Sequence, residues 1–445
     1  MRTIRPALSA IFLLFTFIPT SPAQTYTIQT PSHSPASAKP DLYSEAVTLH
    51  YDDLTRDLTQ TPPGFEHDLF AGVLADRTSR FDDALRLLTP LASDTTLSPT
   101  RLALVLGSLA DVHIKLFHYA QASALYTRLL TDDPAGLSPI LLKDDQDDAD
   151  TLKLLLTAPP QTISFNAPGS TPIDLPTHAD PLGSITADLT AHNLTTPWIL
   201  DTGANFSVVS ETFAHQLGLT LSTGIAHTQG ATGAENPFHA AILDTLTIGT
   251  ATVHNVVLLV LPDANLTIRT SKKKPYVLPA ILGYPVFQAL GIIRFTHNHH
   301  FLAGPTLPLT GNSSPIYMEK LNVLFSCRTH DHPRPFLFDS GANASTFFVP
   351  YAREFAADLL HEQQGTRNGY GAGGTSTDQV YVLDHADIEL ANRIVDLQHI
   401  AVFKNPQNTL ADEYEGALGR DLINSLDSLT LDLTHARVYP GKPRN

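Results

Sequence analysis

Two segments of this chain carry the same text: Trp198-Ile-Leu-Asp201-Thr-Gly-Ala-Asn205 and Phe336-Leu-Phe-Asp339-Ser-Gly-Ala-Asn343. Each is an apolar strand that runs into an acid, a small hydroxyl residue, a glycine and an alanine. The likeness continues downstream. Gly283 of Ile281-Leu282-Gly283 stands 82 residues after Asp201, and Gly419 of Ala417-Leu418-Gly419 stands 80 after Asp339. Between these anchors both stretches pass through a helix-like segment, a glycine-rich stretch (Gly230-Ala-Thr-Gly233, and Gly369-Tyr-Gly-Ala-Gly-Gly374) and an alternating strand beginning at Leu243 or Leu383. Matched order at near-equal spacing is an internal repeat, so two homologous lobes are expected.

At 445 residues the chain has room for more than the repeat. From 161 onward it reads as short alternating strands, giving lobes at 161–303 and 316–441 joined by a Gly/Pro-rich linker, 304–315. Upstream, apolar residues fall at three- and four-residue steps (Leu69, Ala71, Leu74, Ala75; Leu109, Ala110, Ile114), which predicts a helical domain over 43–131. Arg80-Phe-Asp-Asp-Ala-Leu85 and His118-Tyr-Ala-Gln-Ala-Ser123 recur 38 residues apart, which resembles tetratricopeptide repeats and implies stacked helix pairs. Residues 132–160, with Asp132-Asp133-Pro134, an acidic run at 144–148 and Pro159-Pro160, read as a linker carrying a short helix at Ala149 to Leu156.

The start of the chain reads as a secretory signal, 1–23. Arg2 and Arg5 precede an apolar run from Ala7 to Pro19, and Ser21-Pro22-Ala23 ends in a small residue. Residues 24–42, rich in Ser, Pro and Thr, read as a disordered lead-in. Export to a periplasm or the medium is the expectation, with no membrane-spanning segment left after processing.

Formal charge is −16, and losing Arg2 and Arg5 makes it −18, which argues against nucleic acid or an anionic membrane as partner. The lone cysteine, Cys327, excludes an internal disulfide and sits in an alternating strand, as a small buried side chain does. His297, His299 and His300 cluster without a carboxylate or thiol at ligand spacing and read as surface histidines at a strand end. No metal or cofactor is expected.

Chemistry therefore rests on Asp201 and Asp339. Two carboxylates held a few ångströms apart push their ionisations apart, so the pair shares one proton and supplies both a base and an acid. Gly203 and Gly341 let backbone N–H groups approach the acids, Thr202 and Ser340 carry hydroxyls able to bond across a lobe interface, and Ala204 and Ala342 suit a tight turn.

On these residues the chain resembles the retropepsin-like aspartic proteases over about 160–440. In that family an Asp-Thr/Ser-Gly-Ala loop is followed by a glycine-rich flap and by a hydrophobic-hydrophobic-Gly motif packed under the loop. The resemblance implies a mainly β fold: two retropepsin-like (acid protease) β-barrel lobes in tandem, behind the N-terminal helical repeat-like domain. It implies an intramolecular Asp201/Asp339 dyad, so one chain suffices for catalysis. Gly230, Gly233, Tyr370, Gly371 and Gly373 would belong to flaps that cover a peptide or protein substrate, and Ile281, Leu282, Gly283, Ala417, Leu418 and Gly419 to the supports under the loops. Asn205 and Asn343 stand where retroviral members usually carry an acid. The resulting expectation is an exported aspartic endopeptidase. The alternative is an inactive secreted scaffold that binds a protein or peptide partner through the helical repeats.

Overall fold

The computed structural model describes residues 14–18, 41–132, 139–165, 172–230, 234–269, 275–278, 280–330, 332–406 and 413–444. Downstream of residue 160 the described chain is mainly β, and two closed rings of six strands dominate it. The first ring passes through Ile185–Ala191, Leu194–Leu200, Ala280–Leu282, Ser207–Ser210, Ala251–Leu261 and Glu235–Ile248, and closes where Thr190 faces Thr247. The second repeats the order with Asn322–Thr329, His332–Phe338, Gly416–Leu418, Thr346–Phe347, Arg393–Phe403 and Gly374–Leu390, and closes where Arg328 faces Glu389.

In each ring the strand that ends in the acid runs parallel to the downstream apolar tripeptide. Leu200 faces Leu282, and Phe338 faces Leu418. A parallel pair inside a barrel is covered on both faces, so its sequence is apolar without alternation. Accordingly Trp198, Ile199, Leu200, Phe336 and Phe338 are buried.

A further sheet joins the halves. Its order is Ile173–Ala179, His300–Ala303, Ile292–Thr296, Ser428–Asp432, Arg437–Pro440 and Ser314–Glu319. Strands from both halves meet at its centre, where Arg294 faces Thr430 and its Nε donates to the threonine hydroxyl at 2.6 Å. The stretch expected to be linker up to residue 315 thus already contributes Ser314 and Pro315 to this sheet.

Among the described residues seven helices precede the rings: Leu42–Val47, Tyr51–Leu58, Phe65–Arg77, Phe81–Leu91, Pro99–Lys115, Tyr119–Asp132 and Pro139–Leu154. The first is capped by Asp41, whose carboxylate accepts from Ser44 N–H at 3.1 Å. The last corrects the sequence reading, which placed a linker and only a short helix between 132 and 160. Its acidic run hid it, because acids occupy the buried face: Asp145 and Asp148 are buried against the Lys320 ammonium. An inward-facing acid-to-lysine contact breaks the apolar periodicity from which helices are read.

Those helices are welded to the second half at the Glu319-Lys320 turn. Arg77 donates to Glu319 Oε1 and to Asp111 Oδ2, each at 3.0 Å. Lys115 Nζ donates to Asp76 Oδ1 at 2.7 Å and to the Met318 carbonyl at 3.1 Å. All five side chains of this network are buried. The first half is touched as well, since Gln288 Nε2 donates to Lys115 O at 2.7 Å and the Tyr119 ring packs on Phe206. Near the start of the chain, Leu14–Ile18 pairs antiparallel with Thr366 to Tyr370; the rest of the expected signal and lead-in up to residue 40 lies outside the described residues. No helix among the described residues is long and apolar enough to cross a membrane.

Candidate active site

Both acids sit at the ends of their parallel strands, where the chain turns sharply. Asp201 N–H donates to Leu282 O at 3.1 Å, and Asp339 N–H to Leu418 O at 2.9 Å. Each carboxylate then accepts from its own turn. Asp201 Oδ1 takes Gly203 N–H at 2.8 Å and Ala204 N–H at 3.1 Å; Asp339 Oδ1 takes Gly341 N–H at 2.8 Å and Ala342 N–H at 3.1 Å. Identical lengths on the two sides mean that the repeated text builds the same turn twice.

The turns are locked to each other. Thr202 Oγ1 donates to Phe338 O at 3.1 Å and accepts from Ser340 N–H at 3.0 Å; Ser340 Oγ donates to Leu200 O at 2.8 Å and accepts from Thr202 N–H at 3.0 Å. Four hydrogen bonds between buried groups fix the distance and tilt between the halves at the acids themselves. They bring the carboxylates together: a Cβ on Gly341 would stand 2.5 Å from Asp201 Cγ.

Asp201 and Asp339 are 0 % and 2 % exposed, which decides their protonation. Burial, then the neighbouring Asp339 carboxylate, push Asp201 well above the ordinary carboxylate range. Asp339 is raised to about 6 by burial, against the pull of its hydrogen bond with Asp201 and of the Ala342 and Gly341 N–H groups. Two buried like charges cannot both persist, so one proton is retained between them. Asp201 Oδ2, the oxygen turned from its own loop, is buried and faces the opposite turn, where a Cβ on Gly341 would overlap it.

The two apolar tripeptides pair with the strands that end in the acids. Ile281 and Leu282 face Ile199 and Leu200, while Ala417 and Leu418 face Leu337 and Phe338. Gly283 and Gly419 allow the closest approach; a Cβ on Gly419 would stand 2.8 Å from Ala342 O. The sequence reading missed two serines that complete the supports. Ser207 Oγ accepts from Gly283 N–H at 3.1 Å and Ser345 Oγ from Gly419 N–H at 3.0 Å. Their signal was available, because each lies six residues after its aspartate. Asp421 was missed too; it binds Ser345 through N–H at 2.8 Å and hydroxyl at 2.7 Å, and Pro285 follows Gly283 at the same offset in the first half.

Asn343 Nδ2 donates to Leu182 O at 2.8 Å, on a turn of the other half. Asn205 is 1 % exposed, and both ends of its amide lack a partner in the protein. The repeat is thus not symmetrical in detail.

The glycine-rich segments form hairpins. Ala226–Gln229 pairs with the start of Glu235–Ile248, with Gly230 at the tip, and Gln363–Gly371 pairs with Gly374–Leu390 around Ala372-Gly373. Gly371 faces Gly374, and Tyr370 faces Thr375 with its ring half-buried against the core. Gly230 lies against Ala372, so the two tips meet. Gly233 lies outside the described residues. His297, His299 and His300 stay apart from the acids: His300 Nδ1 pairs with Asp174 Oδ1 at 2.6 Å, and His297 bonds to Asp427 O. Among the described residues no group of three or more His, Cys, Asp or Glu is arranged to hold a metal ion. Cys327 is buried, and burial pushes its thiol up beyond any physiological ionisation.

No curated protein shows significant similarity to the chain. The crystal structure of a retropepsin-like aspartic protease from Rickettsia conorii aligns with 14 % identity over 32 % of this chain and 93 % of its own, at a TM-score of 0.21. The family model described as aspartyl protease matches residues 187–286, the stretch that carries Asp201-Thr-Gly-Ala204 and Ile281-Leu-Gly283. Over that segment the chain is similar to the aspartyl protease family.

Proposed function

We propose that the protein is an aspartic endopeptidase whose two catalytic carboxylates, Asp201 and Asp339, come from one chain. The observation that carries this is the reciprocal locking of Thr202 and Ser340, which holds two identical acid turns face to face in a dry site.

Such a pair hydrolyses a peptide bond without a covalent intermediate. The ionised carboxylate takes a proton from water as its oxygen attacks the carbonyl carbon, and the protonated carboxyl gives its proton to the carbonyl oxygen. A neutral tetrahedral diol results. The carboxyl that gained the proton then passes it to the leaving nitrogen, a diol hydroxyl returns its proton to the other carboxylate, and the C–N bond breaks. The dyad ends with the one proton it began with. Raised carboxyl ionisation supports this reading, because the singly protonated state then extends to weakly acidic pH. Both hairpins would close over an extended peptide and exclude bulk water.

The apolar run before residue 20 supports export as the setting, with the substrate a peptide or protein met outside the cytoplasm. The helical region, tied to the second half by buried ion pairs, acts in this reading as part of the enzyme body rather than as a free recruitment arm.

A peptide carrying a hydroxyethylene group in place of the scissile bond mimics the tetrahedral diol and tests the reading directly. Tight binding by the wild type, weakened at least a hundredfold by Asp201→Asn, is expected; equal binding by both proteins contradicts it.

A further inference from the structure

The two glycine-rich hairpins converge on one residue outside both of them. Asn265 lies in the Pro262 to Leu266 turn, which leaves the strand Ala251–Leu261 of the first ring. The turn is stiff: Asn265 N–H donates to Pro262 O at 2.9 Å and Leu266 N–H to Asp263 O at 3.2 Å. Asp263 Oδ1 in turn accepts from Thr212 N–H at 3.1 Å, at the start of the helix Glu211–Gln216. From this anchor Asn265 reaches two ways. Its backbone carbonyl accepts from Gly373 N–H, at the tip of the second hairpin, at 2.9 Å. Its side-chain Nδ2 donates to Asn236 Oδ1, in the first hairpin, at 2.7 Å.

Asn236 carries the link onward. It is fully buried, and its Nδ2 donates to Ala234 O at 3.0 Å, the same carbonyl that accepts from Gly230 N–H at 3.0 Å. Gly230 meets the second tip again, since a Cβ there would overlap the Ala372 carbonyl and stand 2.8 Å from its carbon. Gly373 has φ +92°, so few other residues could present that N–H in this way.

We propose that Asn265 is a positioning residue that clasps both hairpins to the first ring, so that they open and close as one coupled unit. Its side chain fixes the first hairpin through Asn236, and its carbonyl fixes the second through Gly373. The amide-to-amide contact suits this use, because breaking it leaves the Oδ1 of buried Asn236 without its hydrogen bond. Only the kinetic consequence rests on the peptidase reading; the mechanical coupling does not.

Amide hydrogen exchange measured in Asp201→Asn protein, alone and with Asn265→Ala or Asn236→Ala, separates the two. Exchange at Gly230 and at Gly373 is expected to speed up together, about fivefold or more, in either variant, while Ile281 and Leu418 amides stay protected. The decisive result is Gly373 in both variants: each leaves its hydrogen bond to the Asn265 carbonyl in place, and the Asn236 amide lies against Gly373 without bonding to it. In the active protein each single change is expected to lower kcat/KM about fivefold, chiefly through KM, and the double variant no further. Unchanged Gly373 exchange in Asn236→Ala overturns the proposal, as do additive effects in the double variant. An inactive wild type with coupled exchange would leave the clasp standing and remove the peptidase reading alone.

Discussion

Gly203 faces Asp339 across the two halves: a Cβ on the glycine would stand 2.6 Å from the aspartate Cγ, and a Cβ on Gly341 would crowd Asp201 in the same way. Each glycine therefore leaves the space that the opposite acid occupies. The predicted outcome of Gly203→Ala or Gly341→Ala is a protein that retains its β fold by circular dichroism but loses at least a thousandfold in peptide turnover. Displacing a carboxylate by even 1 Å costs far more in rate than in stability.

The grip between the turns predicts a contrast at position 202. Thr202→Ala strands the Phe338 carbonyl and the Ser340 N–H in a buried site, so urea unfolding should show a loss of about 2–4 kcal/mol. Thr202→Ser keeps the hydroxyl, as Ser340 already does in the other half, and should cost under about 1 kcal/mol with activity largely retained.

Raised carboxyl ionisation makes a stability prediction with a definite sign. The coupled pair retains a proton in the folded protein at pH values where both carboxyls of the unfolded chain have lost theirs. Their burial thus carries no ionisation penalty below the unfolded pKa near 4; the penalty grows as pH rises above 4 and levels off once the folded groups ionise too, at about 6 for Asp339 and higher for Asp201. Asp201→Asn removes that penalty. It should raise the unfolding free energy at pH 7 on the order of 1–3 kcal/mol, with the gain shrinking towards zero at pH 4, as followed by denaturant titration at each pH.

Arg77 bridges the helices to the second half by pairing with Asp111 and Glu319. Arg77→Ala leaves Asp76, Asp111 and Glu319 buried with one cation fewer beside Lys115 and Lys320, and should destabilise the whole chain by about 3–5 kcal/mol. Limited proteolysis should then cut the helical region and the rings together. Ready release of intact rings by the variant would contradict a welded interface.

The sequence revealed the acid turns because their chemistry is local. Asp201-Thr-Gly-Ala204 and Asp339-Ser-Gly-Ala342 each hold their own carboxylate through N–H groups two and three residues away. Ile281-Leu-Gly283 and Ala417-Leu-Gly419 were legible as well, since burial on both faces leaves unbroken apolar text. The helix Pro139–Leu154 was hidden because its inward face carries acids that only make sense beside Lys320, far away in sequence. Asn236 and Asn265 were hidden for a similar reason: asparagines near glycines read as turn residues, and their pairing exists only once two hairpins and a separate turn converge. Sequence shows which groups carry reactivity; long-range polar pairs that fix those groups need the fold.

The central claim is that one chain supplies both catalytic carboxylates. Turnover of an unbiased peptide library by wild type, Asp201→Asn and Asp339→Asn, each purified separately and assayed from pH 3 to 8, tests it most directly. Cleavage by the wild type that is abolished by either single substitution, and not restored by mixing the two variants, is the predicted result. Retained cleavage in either variant, or recovery on mixing, would contradict an intramolecular dyad.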